Sequence, residues 1–270
     1  MRSMVPTRRL SIFLSAGILV VFAASGVAFA QGRGRGQAGP PPTPEAGAPE
    51  DITGYWVSVV TEDWRFRMVT PPKGDYSSLP LNPEGRKVAD AWDPAKDQAA
   101  GEQCKAYGAP AVMREPGRIH ITWQDANTLR IDTDAGTQTR LFHFGGSQAP
   151  AGEASWQGYS VAQWDIPEAG RGGAPGPGAM RDPKEAGGSL KVITTHLRPG
   201  YLRKNGVPYS ANTKLTEYYS RTHEPNGDSW LIVTTVVEDP MYLNQAFITS
   251  THFKKQTDAT GWNPTPCSAR

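Results

Sequence analysis

Arg140 and His143 stand three residues apart in one β-rich stretch, and Thr194 and His196 two apart in another. Glu217, Tyr219 and Arg221 alternate in a third. In extended chain a spacing of two puts side chains on one face and a spacing of three on opposite faces. Glu217, Tyr219 and Arg221 therefore share a face, as do Thr194 and His196, while Arg140 and His143 part. A carboxylate and a guanidinium are costly to bury unless paired. Pointing inward, Glu217 and Arg221 form an ion-paired floor able to polarise a bound carbonyl or hydroxyl; pointing outward, they are a solvated stripe. His196 beside Glu217 would make a general acid–base pair. Trp164 and His252 complete the candidate ligand contacts, an aromatic wall and an imidazole on two further strands.

Other chemistry is weakly encoded. His120, His143, His196, His223 and His252 fall in or at the ends of different strands. Three converging imidazoles would suit zinc, but no two show an H-x-H or H-x-x-x-H spacing, so neither metal nor cofactor is expected. Gly158-Tyr159-Ser160-Val161-Ala162 has the serine of a nucleophile elbow. It lacks the strand–turn–helix context, and alanine replaces the last glycine. The glycine-rich runs lack the Lys-Ser/Thr that closes a phosphate-binding loop.

The elements that must position these residues are strands. From 118 to 255 the chain alternates Val, Ile, Thr, Tyr and Trp with polar residues, broken by turn chemistry such as Asp125-Ala126-Asn127 and Pro225-Asn226-Gly227-Asp228. Strands are expected at 52–60, 64–69, 118–124, 129–133, 137–144, 156–165, 190–197, 213–222, 230–237 and 247–254. The class is mainly β: an antiparallel meander closing into a lipocalin-like β-barrel, with a β-sandwich as the alternative. Asn82-Pro83 and Asp93-Pro94 are helix starts, placing one or two short helices near 82–101. The strand at 230–237 is apolar on both faces, so a cover is expected outside it, with the helices around Trp92 as the candidate.

Residues 1–30 read as a secretory signal: Arg2, Arg8 and Arg9, an apolar run, then Ala28-Phe29-Ala30. The alternative is an uncleaved anchor. The whole chain is formally +2, and the signal holds three arginines and no acid, so the mature chain stands at −1. That balance gives no sign of a nucleic-acid partner, and no second apolar run is long enough to span a membrane. Residues 31–50 read as a Gly/Pro-rich linker, 51–270 as a single β domain, and 167–188 as an insertion at a hairpin tip. The two cysteines, Cys104 and Cys267, are expected to pair in an oxidising periplasmic or extracellular compartment.

Gly158-x-Ser160-x-x-x-Trp164, the Leu190-x-Val192 strand, Gly206-x-Pro208-x-Ser210, Glu217 and Asp239-Pro240 together resemble an uncharacterised family of secreted bacterial β-rich proteins. In that family the Trp and the Leu-x-Val are joined by a short charged turn; here the 167–188 insertion intervenes. The resemblance implies no known activity. Gly54-x-Trp56 is the only echo of a lipocalin signature. The functional expectation is a secreted or periplasmic barrel binding a partly apolar small molecule. A cofactor-independent enzyme using His, Glu and Tyr, and a structural or interaction module of the envelope, are the competing readings.

Overall fold

In the computed structural model, residues 41–146, 149, 151–166 and 188–269 are described. The expected signal, the first part of the linker and nearly all of the 167–188 insertion lie outside them. One compact unit runs from Pro42 to Arg270. Its nine barrel strands are β1 (Gly54–Val59), β2 (Arg118–Asp125), β3 (Thr128–Thr133), β4 (Gln138–Phe144), β5 (Tyr159–Asp165), β6 (Ser189–Thr195), β9 (Lys214–His223), β10 (Ser229–Glu238) and β11 (Phe247–Lys255). They close in the order β1-β11-β10-β9-β6-β5-β4-β3-β2. Two short strands, β7 (Gly200–Arg203) and β8 (Val207–Tyr209), form a separate hairpin.

Period-two alternation builds this wall. Ile119 and Ile121, Leu129 and Ile131, Leu190 and Val192, and Leu231 and Val233 all turn inward and are buried with Trp56, Phe142 and Phe253. Burying each such side chain contributes about 1.5–3 kcal/mol. These side chains fill the barrel interior. One pairing departs from the expected antiparallel meander: β4 and β5 are parallel.

The two mouths are closed differently. At one, residues 43–50, expected as linker, form a strap. Glu45 N–H donates to Ala126 O, Trp164 Nε1 to Pro44 O and Arg221 N–H to Glu50 Oε2. At the other lie the helices α1 (Trp64–Arg67), α2 (Pro83–Asp90), α3 (Pro94–Ala99) and α4 (Ala109–Val112). Val112 and Met113 belong to the core cluster inside the barrel. As the sequence predicts, Asn82 and Asp93 cap α2 and α3, accepting from Gly85 N–H and Ala95 N–H.

Two expectations need correction. Residues 64–69 are not a strand: Trp64–Arg67 is helical and starts from Asp63 in left-handed geometry (φ 49°). The alternation of Trp64, Phe66 and Met68 with arginines imitates a strand, but it is Arg67 that is buried while Trp64 and Met68 face outward. Nor do the helices cover β10. Trp92 packs instead on Gly206 in the β7–β8 turn. The outer residues Trp230, Ile232 and Val236 are half-buried among neighbouring side chains, among them Lys254, whose Nζ lies 5.9 Å from the centre of the Trp230 ring.

Cys104 and Cys267 are disulfide-bonded, with Cα atoms 5.1 Å apart, inside the usual range. The bond ties the C-terminal tail to the segment between α3 and α4, beside Gln138 of β4. There Thr265 N–H donates to Asp134 O and Thr137 Oγ1 to Thr265 O.

Candidate functional site

The barrel gathers three of the candidate side chains. Glu217 and Tyr219 do face inward together, but the partner of Glu217 is Arg140 and not Arg221. Arg140 donates from Nη2 to Glu217 Oε2 at 2.6 Å and from Nη1 to Oε1 at 2.8 Å. Tyr219 Oη donates to Glu217 Oε1 at 3.1 Å, and Arg140 Nη2 reaches Thr194 Oγ1 at 3.4 Å. Ser160 and Thr194 share a hydrogen bond of 2.8 Å. All five residues are buried. Burial works against the Arg140 charge, but the Glu217 carboxylate outweighs it and holds the guanidinium above its ordinary range. Burial, reinforced by Glu217, pushes the Tyr219 phenol well up. The cluster is a closed ion pair in which both Glu217 oxygens are met and only Arg140 Nε lacks an acceptor; it supplies rigidity and has no opening for a substrate.

The other candidates are dispersed. His143 lies on the outer face, stacked on Tyr159 with ring centres 4.9 Å apart. His196 follows β6 in left-handed geometry, its Nε2 3.0 Å from Gly152 O. His252 bonds Thr61 on the outside. Neither His143 nor His196 meets Glu217, so the expected acid–base pair does not form. Trp164 and Arg221 are at the strap end. Trp164 bonds Pro44 O, and Arg221 bonds Asp51 O and lies over Trp56.

A different set of residues converges at the helical end, around a cleft of about 300 Å³. Arg67 comes from α1, Arg114 from the turn after α4, and Arg203 and Lys204 from the end of β7. Phe66, Met68, Pro71 and Tyr107 give the cleft apolar walls. All three arginines are buried. Arg67 pairs with Glu62 and donates from Nε to Arg114 O at 2.8 Å. Arg114 pairs with Asp63 at 3.0 Å, and Lys204 with Glu115 at 2.5 Å.

Three carboxylates thus answer three of four cations, and Arg203 is the remainder. Among the described residues no carboxylate pairs with it. Its guanidinium donates to Ser77 O at 3.2 Å and Ser78 Oγ at 3.3 Å and lies over Phe66 at 4.4 Å. Burial and the nearby Arg114 push it down to about 10, so it stays charged at neutral pH. Arg114 Nη1 is also buried without an acceptor. Two side chains that hold these arginines, Asp63 and Ser78, adopt left-handed backbone (φ 49° and 66°), strain of the kind that gathers where function constrains the fold.

The sequence concealed this cleft because its members are spread from 66 to 204 with no shared period. Asn205-Gly206, a two-residue hairpin signal, was the one local sign of the loop that presents Arg203 and Lys204. Against known proteins, no family model, no curated protein and no solved structure matches this chain.

Proposed function

We propose that this protein is exported and binds an anionic amphiphile, a carboxylate, sulfate or phosphate head carried on an apolar body, at the helical end of the barrel. The observation that carries the reading is Arg203, a buried guanidinium without a counter-ion on the wall of a cleft. A bound anion would supply the missing charge, and charge-assisted hydrogen bonds to a guanidinium are among the stronger polar contacts available. The apolar half of the ligand has a place as well. Trp64, Met68 and Val69 are 67%, 59% and 69% exposed, three large apolar side chains within six residues beside the cleft. Such a cluster marks a binding surface more often than chance exposure does. Export is supported by the signal-like start of the chain and by a disulfide, which persists in oxidising compartments. Among the described residues no helix is long and apolar enough to cross a membrane.

Calorimetric titration with octyl phosphate, octanoate and octanol tests the reading. The two anions should bind and octanol should not. Arg203→Met should weaken octyl phosphate by roughly ten- to a hundredfold, the value of a charge-assisted contact. Because a buried, unpaired cation opposes folding, the same variant should unfold at the same temperature or higher. Equal binding of octanol, or unchanged affinity in Arg203→Met, would defeat the proposal.

A further inference from the structure

A second site lies on the outer wall, next to the arginine cleft: its Thr133, Thr137 and Pro264 adjoin Ala135 and Thr265 of that cleft, but it shares none of the four cations. Tyr55, His120, Asp132 and Thr139 stand directly opposite one another on four neighbouring strands, β1 to β4. Tyr55 and His120 stack with ring centres 3.9 Å apart and planes 2° from parallel. Trp262, from the C-terminal tail, meets both rings edge-on at 5.8 and 6.3 Å. Arg130 grips Asp132 through two hydrogen bonds of 2.7 and 2.8 Å, and Thr139 Oγ1 donates to Asp132 Oδ1 at 2.5 Å. These groups line a groove of about 330 Å³, within the ~300–1,000 Å³ range of small-molecule sites.

The polar atoms of the three rings are unspent. Among the described residues, neither Tyr55 Oη, nor the His120 ring nitrogens, nor Trp262 Nε1 has a hydrogen-bond partner. Burial holds the His120 imidazole below its ordinary range, against the opposing pull of Asp132, so it is neutral at pH 7. A neutral imidazole offers one donor and one acceptor. Arg130 and Asp132 neutralise each other, so the groove has no free charge to attract an ion. Tyr55 and His120 spend one face on each other, which leaves at most their outer faces, with the Trp262 ring, beside uncharged, paired donors and acceptors; that mixture matches a ligand whose surface alternates C–H patches with hydroxyls. We infer that this groove binds a saccharide ring.

The roof of the groove depends on the disulfide. Trp262 belongs to a tail pinned by Thr265 N–H to Asp134 O and, two residues on, by Cys267 to Cys104. Reduction should therefore loosen Trp262 while the strand row beneath stays in place.

A printed array of bacterial and plant oligosaccharides, followed by titration with any saccharide that binds, tests the inference. We expect saturable binding of at least one saccharide. Trp262→Ala and His120→Phe should each weaken it by about tenfold or more, as should reduction of the disulfide. Trp262 lies in the tail, outside the core, so its loss should spare the fold; circular dichroism checks this. Arg203→Met should leave saccharide affinity unchanged, which separates this site from the anion cleft. An array without binders, or affinity that survives both Trp262→Ala and His120→Phe, would overturn the inference.

Discussion

Arg140 and Arg203 are both buried guanidiniums, and their surroundings set them to different uses. Arg140 has both oxygens of Glu217 within 2.8 Å, so its charge is spent inside the barrel. Arg203 has a serine hydroxyl and a carbonyl, which accept its hydrogen bonds without cancelling its charge. Removing one partner of a buried pair strands the other, at about 3–5 kcal/mol, whereas replacing both with apolar groups is often neutral. Glu217→Gln should thus lose about that much stability in urea denaturation, and Arg140→Met with Glu217→Leu should recover most of it. A loss below about 1 kcal/mol in Glu217→Gln would contradict the structural role given to the pair. At this scale the sequence disclosed half the site. Period two placed Glu217 and Tyr219 on one face and left open whether that face points inward. It could not supply Arg140, because β4 and β9 are separated by β5 and β6 in the barrel order. The side chain reaches its partner across the interior, and no local spacing reports that distance.

Among the elements, the strands were legible and their decorations were not. Alternation reveals a strand wherever one face is buried, and β2, β3, β10 and β11 follow it closely. The turn α1 obeys no such rule, since an ion pair and not an apolar face holds it down. The β7–β8 hairpin depends on a single close approach. Gly206 has φ +83°, and an added Cβ would overlap the Trp92 ring. Gly227, in the β9–β10 turn, has φ +89° but open space around it. Gly227→Ala should therefore cost only backbone strain, about 1–2 kcal/mol. Gly206→Ala adds the clash, typically another 1–3 kcal/mol. Since this hairpin presents Arg203 and Lys204, Gly206→Ala should also weaken octyl phosphate, while Gly227→Ala should not. Thermal unfolding and titration of both variants would show this; equal effects from the two glycines would separate the hairpin from the cleft.

For the whole molecule, charge and covalent structure set what composition could reveal. A formal charge near zero once residues 1–30 are set aside describes the sum and conceals its distribution, because three of the four cations in the cleft are cancelled within a few ångströms and one is not. The disulfide was readable from the even cysteine count, and its consequence follows from chain entropy. It closes a loop of 163 residues, which restricts the unfolded chain by about 5 kcal/mol at most. The barrel itself does not need it, since β1 closes the wall by pairing with both β11 and β2. The double variant Cys104→Ser, Cys267→Ser should therefore keep its β-sheet spectrum at 25 °C and lose about 2–5 kcal/mol in denaturant. Proteolysis should now clip the released tail ahead of the barrel, because what remains is non-covalent, including hydrogen bonds of Thr265 with Asp134 and Thr137, each contributing about 1 kcal/mol, and the ring contacts of Trp262. Collapse of the sheet spectrum instead would mean that the tail is part of the barrel's closure and not a cover tied to its side.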